Sequence, residues 1–145
     1  MKKLFLSLVV AFAAHSAMAN VQLELKHAPL NPVQGDQVKY IRLYTNGTVF
    51  LNYCDALTGT CLPATHLATL SHYAMNHIYQ QTEFARGGAL LENKPLCTAV
   101  PSESKVYSAS NGTVSLEFGT YPCGVFTVNQ TNAADYLISV LNQYE

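Results

Sequence analysis

Apolar and polar residues alternate with a period of two in two stretches of the chain, and each stretch is broken by the same tetrapeptide. Asn46-Gly47-Thr48-Val49 recurs as Asn111-Gly112-Thr113-Val114, a shift of 65 positions. Asn-Gly between apolar runs predicts a tight hairpin, because both residues accept the positive φ of a type I′ turn. Two hairpins follow, pairing residues 39–45 with 48–53 and residues 105–110 with 113–118. A further strand is expected over residues 124–128.

A spacing of three and four residues marks two helices. The first spans residues 66–81, with Leu67, Leu70, Ala74 and Ile78 on one face and Gly87-Gly88 as its stop. The second starts at Asn132 as N-cap, carries Asp135 in its first turn and buries Leu137, Val140, Leu141 and Tyr144. The same 65-residue shift carries His66 onto Thr131, just before the second helix, which suggests a ββα duplication. The expected fold is α+β: an antiparallel sheet of about five strands, with two helices packed mainly on one face.

A two-residue turn also fixes which residues share a face. In the second hairpin Tyr107, Ala109, Val114, Leu116 and Phe118 form the core side, opposite Val106, Ser108, Ser115 and Glu117. The matching core side of the first hairpin is Tyr40, Arg42, Tyr44, Val49, Leu51 and Tyr53, which leaves Ile41, Leu43 and Phe50 on its other face as excess apolar surface. Two readings account for that surface. The segment containing Val21, Leu23 and Leu25, or a loop, covers it; or Ile41, Leu43 and Phe50 form a contact patch for a partner or a second copy of the chain.

The amino terminus changes the picture of where this domain works. Lys2 and Lys3, the apolar stretch Leu4 to Ala14 and the small residues Ala17-Met18-Ala19 together read as a secretory signal. Residues 1–19 are therefore expected to be removed, and residues 20–145 to form one domain, with no membrane insertion after cleavage. Without Lys2 and Lys3, six basic and nine acidic residues remain, and no basic cluster is present, which argues against a nucleic-acid partner. Four cysteines, Cys54, Cys61, Cys97 and Cys123, in an exported chain imply two disulfides. Three pairings can be drawn, of which the nearest-neighbour set, Cys54–Cys61 with Cys97–Cys123, is favoured. The destination is the periplasm or the medium of a bacterium.

Candidate chemistry is sparse. His66, His72 and His77 cluster in sequence, but no two stand three or four positions apart, so they make no two-histidine metal pair on a helix. Asp36, Asp55 and Asp135 sit where turns and caps use them. The Asn-x-Thr triplets at Asn46, Asn111 and Asn129 are read as incidental, two of them being the hairpin turns. No nucleophile with a base, no phosphate loop and no metal cage is legible, so no enzyme, cofactor or metal is expected.

Val49-Phe50-Leu51-Asn52-Tyr53-Cys54-Asp55, Cys97-Thr98-Ala99-Val100-Pro101 and the closing Cys123 together resemble the bacterial subtilisin inhibitor-like family. That family is small, secreted and doubly disulfide-bonded, with an antiparallel sheet of about five strands and two helices. The resemblance implies a reactive loop after the third cysteine, over Thr98, Ala99, Val100 and Pro101, with the scissile bond between Ala99 and Val100. The chain differs in its short Cys54–Cys61 interval, its long Cys61–Cys97 interval and its terminal helix. The expected function is a small exported, non-catalytic binding protein with a protein partner acting through Ile41, Leu43 and Phe50. The alternative that the resemblance implies is a secreted inhibitor of subtilisin-type serine proteases.

Overall fold

The computed structural model describes residues 19–93, 102–121 and 126–145. Eight strands form one antiparallel sheet on which two helices lie: β1 (Val21–Pro29), β2 (Gln37–Tyr44), β3 (Thr48–Asp55), β4 (Thr65–Thr69), α1 (His72–Arg86), β5 (Leu90–Asn93), β6 (Glu103–Ala109), β7 (Val114–Tyr121), β8 (Phe126–Asn129) and α2 (Asn132–Asn142). The order across the sheet is β4-β3-β2-β1-β6-β7-β8-β5. The α+β class, the antiparallel sheet and the two helices agree with the sequence reading; the strand number does not.

Three strands account for the difference between about five and eight. β1 is the centre of the sheet, pairing with β2 on one side and β6 on the other, both antiparallel. Its alternation of Leu23 and Leu25 with Glu24 and Lys26 is that of a half-buried strand. β4 occupies residues expected to begin the first helix: Thr65 and Thr69 suit an extended edge, and the helix starts only when Ser71 caps it, its hydroxyl accepting from Ala74 N at 3.2 Å. α1 then buries Met75, Ile78, Thr82 and Ala85, so of the expected stripe only Ile78 lies in its fully buried face. β5 pairs only with β8. α2 begins one residue earlier than expected, with Thr131 as N-cap accepting from Ala134 N at 3.0 Å.

The two Asn-Gly tetrapeptides make different loops. In the first, Gly47 N donates to Tyr44 O at 2.9 Å and only Gly47 has a positive φ, 85°. The loop is Thr45-Asn46-Gly47, a turn followed by a left-handed glycine, one residue longer than a type I′ connection. Leu43 therefore pairs with Val49, Arg42 with Phe50 and Ile41 with Leu51. One added loop residue turns β2 over relative to β3. In the second hairpin Asn111 and Gly112 both take positive φ, Ala109 pairs with Val114, and the expected register holds as far as Ser108–Ser115. A bulge between Tyr107 and Ser108 then pairs Val106 with Phe118, and Phe118 is half exposed rather than buried.

The order β-β-β-α occurs twice, as β2-β3-β4-α1 and β6-β7-β8-α2, yet no rotation relates the two copies. β2 and β6 both run antiparallel to β1 from opposite sides, so they are parallel to each other. The rotation that carries β2-β3 onto β6-β7 would invert the sheet, whereas both hairpins bury the same face. The recurrence is one of element order and turn sequence, not a three-dimensional duplication.

That buried face holds Leu23, Leu25, Ile41, Leu43, Val49, Tyr107, Ala109, Val114 and Leu116, closed by Met75 and Ile78 of α1 and Ala134, Leu137 and Leu141 of α2. At one end, Asn129 joins the layers: its amide donates to Ala85 O at 2.8 Å and Ser115 O at 3.3 Å, while its carbonyl accepts from Thr131 N and Oγ1. A Cβ at Gly88 would collide with that side chain. The adjacent buried polar pair, Gln22 and Thr82, is satisfied by a 3.1 Å bond from Gln22 Nε2 to Thr82 Oγ1.

Candidate functional site

Both helices cover one face of the sheet, and among the described residues no helix or strand packs on the other. The pairings place Glu24 and Lys26 of β1, Tyr40 and Arg42 of β2, Phe50 and Asn52 of β3 and His66 of β4 on that open face, with Val106 and Ser108 of β6 beyond β1. Arg42 Nε donates to Glu24 Oε2 at 2.6 Å, and the Arg42 guanidinium carbon lies 4.1 Å from the centre of the Tyr40 ring. Lys26 Nζ approaches the same ring to 6.0 Å. Tyr44 meets Phe50 edge to face at 5.9 Å between centroids, and Phe50 meets His66 at 5.5 Å.

These contacts form a continuous strip of rings and cations across β1 to β4. Each ring is wedged by its neighbours while a face or edge stays accessible; the Arg42 and Glu24 side chains keep about a quarter of their surface exposed, 25% and 26%. The strip ends at a shallow, mostly apolar hollow of about 380 Å³ lined by Ala19, Tyr44, Asn46, Thr48, Phe50 and Ala64. Its walls are fixed by hydrogen bonds: Asn46 Oδ1 accepts from Thr48 N at 3.1 Å and Thr48 Oγ1 at 2.6 Å, and Asn20 N donates to Thr45 Oγ1 at 3.1 Å. Rigid, partly exposed Tyr, Arg and Phe are the side chains enriched where proteins make their energetic contacts.

The residues expected as a contact patch are divided between the two faces. Ile41 and Leu43 lie under the helices at 0% and 1% exposure, and Phe50 lies on the open face. The reason is the three-residue loop at Gly47, which inverts β2. The covering reading for Ile41 and Leu43 is right in substance but the cover is α1 and α2; Leu23 and Leu25 sit beside them in the sheet. Tyr40, Arg42 and Tyr44, expected inside, are the open-face residues that sequence reasoning missed. The mixed composition of that set, an arginine among tyrosines, is the signal that could have identified it.

The other candidate groups do not gather. His66 sits on the β4 edge bonded to Thr69 Oγ1 at 3.0 Å, His72 opens α1, and His77 stacks edge-on against Tyr136 of α2 at 4.8 Å. Cys54 and Cys61 form a disulfide, closing the loop after β3. Inside that loop the Asp55 carboxylate accepts from Thr58 N and Oγ1 and from Leu57 N, which hold it below its ordinary pKa. Cys97, Cys123 and the loop Thr98, Ala99, Val100 and Pro101 lie outside the described residues, as do residues 1–18.

A polar cluster anchors the end of α2 on the helix side. Lys39 Nζ donates to the Glu145 main-chain oxygen at 3.0 Å, Lys105 Nζ to Glu145 Oε2 at 2.6 Å, and Tyr107 OH to Asn142 Oδ1 at 2.7 Å. Two cations here complement the negative end of the helix dipole. Burial lowers the Lys105 pKa, but its bonds to Glu145 and Tyr107 outweigh this and leave it above its ordinary value. Burial pushes Glu117 up, Lys105 draws it back, and the Asp135 charge adds to the rise, leaving it raised. These are structural roles: the groups satisfy one another. No family model, curated protein or solved structure matches the chain.

Proposed function

We propose that the protein is an exported, non-catalytic module that binds a protein partner through the uncovered face of its sheet. The observation that carries this reading is the strip Tyr40, Arg42, Tyr44 and Phe50, a preformed row of aromatic and guanidinium groups on a face that no described helix or strand occupies. Preorganised rings cost little side-chain entropy when a partner docks, so they return more affinity per contact than flexible lysines. Export is supported by the signal-like start and by the Cys54–Cys61 disulfide, since such bonds persist in oxidising compartments.

A second disulfide, Cys97–Cys123, belongs to the same proposal. Asn93 pairs with Phe126, so the segments carrying the two cysteines leave from neighbouring backbone positions. Peptide mapping of the unreduced protein should recover Cys97 linked to Cys123.

The binding reading is tested by immobilising the mature protein, residues 20–145, and measuring retention of proteins from the exported fraction of the producing cell. Single substitutions Arg42→Ala, Tyr44→Ala and Phe50→Ala should each weaken the retained partner by tenfold or more, about 1.4 kcal/mol or above. Retention indifferent to all three would refute the site.

A further inference from the structure

From Ala56 to Thr82 the chain carries no Asp, Glu, Lys or Arg. Such a run is long for a domain whose other segments are charged, and the fold lays its first two thirds along one flank. The cystine-closed loop leads into β4, the terminal strand of the sheet, and α1 begins directly after it. Along this flank Leu57, Leu62, Leu67 and Tyr73 are exposed, Tyr73 at 85%. The opposite end of the sheet also exposes leucines, Leu90 and Leu91, but there Glu83, Arg86 and Glu92 intersperse charge.

The backbone of this flank resists open-ended strand addition. Pro63 removes a donor just before β4, and Leu67 is the extra residue of a bulge, falling between the pairs Val49–Ala68 and Phe50–His66. Side chains, not the strand edge, are what remain available for contact. In a twofold dimer a patch meets its own copy, so every formal charge on it faces its like. A patch free of formal charge meets that condition without any compensating arrangement, and it offers nothing to orient a charged partner.

We infer that the flank formed by the cystine loop, β4 and the start of α1 is a homodimer interface, its occupant a second copy of this chain. Leu57, Leu62 and Leu67 form its apolar centre and Tyr73 its border. This surface is distinct from the open sheet face, so either assignment can fail without the other.

The test is sedimentation of the oxidised mature protein at about 100 µM, where a dimer with a Kd near 10 µM would be mostly assembled. Wild type and Leu91→Asp should sediment as dimers. Leu62→Asp and Leu67→Asp should each sediment as monomers while keeping the wild-type circular dichroism spectrum, and Tyr73→Ser, on an exposed helical position, should weaken the dimer without touching the sheet. A monomeric wild type at that concentration overturns the inference. So does a dimer that survives Leu62→Asp, Leu67→Asp and Tyr73→Ser, or one that Leu91→Asp dissolves instead.

Discussion

Leu43 stands opposite Val49 across the β2–β3 ladder, both side chains turned beneath the helices and both without significant exposure. That pairing sets the alternation of the whole hairpin. Ile41 and Leu51 join the core side, while Tyr40, Arg42 and Phe50 are turned toward the open face. The binding face and the core are therefore two consequences of one loop geometry at Gly47.

Substitutions at the two faces should separate cleanly. Leu43→Ala removes a fully buried side chain and is expected to lower unfolding free energy by about 2–5 kcal/mol. Phe50→Ala, on the open face, should cost clearly less, because its ring is already partly in water. Urea titrations followed by circular dichroism compare them directly, and equal costs would place Phe50 in the core.

The two glycines of the repeated tetrapeptide should respond differently to alanine. Both Gly47 and Gly112 have positive φ, which costs an L-residue about 1–2 kcal/mol. At Gly47 an added Cβ would also meet the Leu70 carbonyl at 2.8 Å, whereas at Gly112 it meets nothing within 4 Å. Gly47→Ala should thus lower the melting temperature markedly more than Gly112→Ala. The reverse order would mean that the first loop is not the three-residue form.

Much of this architecture can be read from the residues, and the failures have specific causes. Period-two alternation locates β2, β3, β6 and β7, and Leu137, Val140 and Leu141 locate α2. An Asn-Gly pair, however, is compatible with loops of different length, and one residue exchanges the faces of a strand. Leu67 and Leu70 continue a helical period backward from α1, which disguises β4; only the Ser71 cap marks the true boundary. The central position of β1 depends on pairings with β2 and β6, and no local pattern encodes those. The open-face strip was invisible for the same reason: it is assembled from four strands, and its members were assigned inward with the wrong register.

Acid should affect the domain through Glu117. Its folded-state pKa is raised by burial, so the folded protein holds a proton there more readily than the unfolded chain. This group then costs stability at neutral pH, and the cost is relieved as pH falls through its raised folded-state value. Glu117→Gln is expected to raise the melting temperature at pH 7, with the advantage shrinking toward pH 4. A constant advantage across that range would assign the effect to something other than this ionisation.

Asn129 should be intolerant of change. Asn129→Ala strands the Ala85 and Ser115 carbonyls and the Thr131 amide in a buried junction. An expected loss of about 2–3 kcal/mol follows from unsatisfied buried groups. Hydrogen exchange should show α1 and β8 loosening together, and loosening confined to one of them would show that Asn129 does not couple the layers.

Hydroxyl-radical footprinting of the protein alone and with its captured partner tests the assignment of the binding face most directly. The expected result is that Tyr40, Tyr44 and Phe50 become protected while Tyr73 and Phe84 on the exposed surface of α1 are unchanged. Protection of Tyr73 and Phe84, with Tyr40, Tyr44 and Phe50 still reactive, would contradict the assignment and move the partner to the helical side.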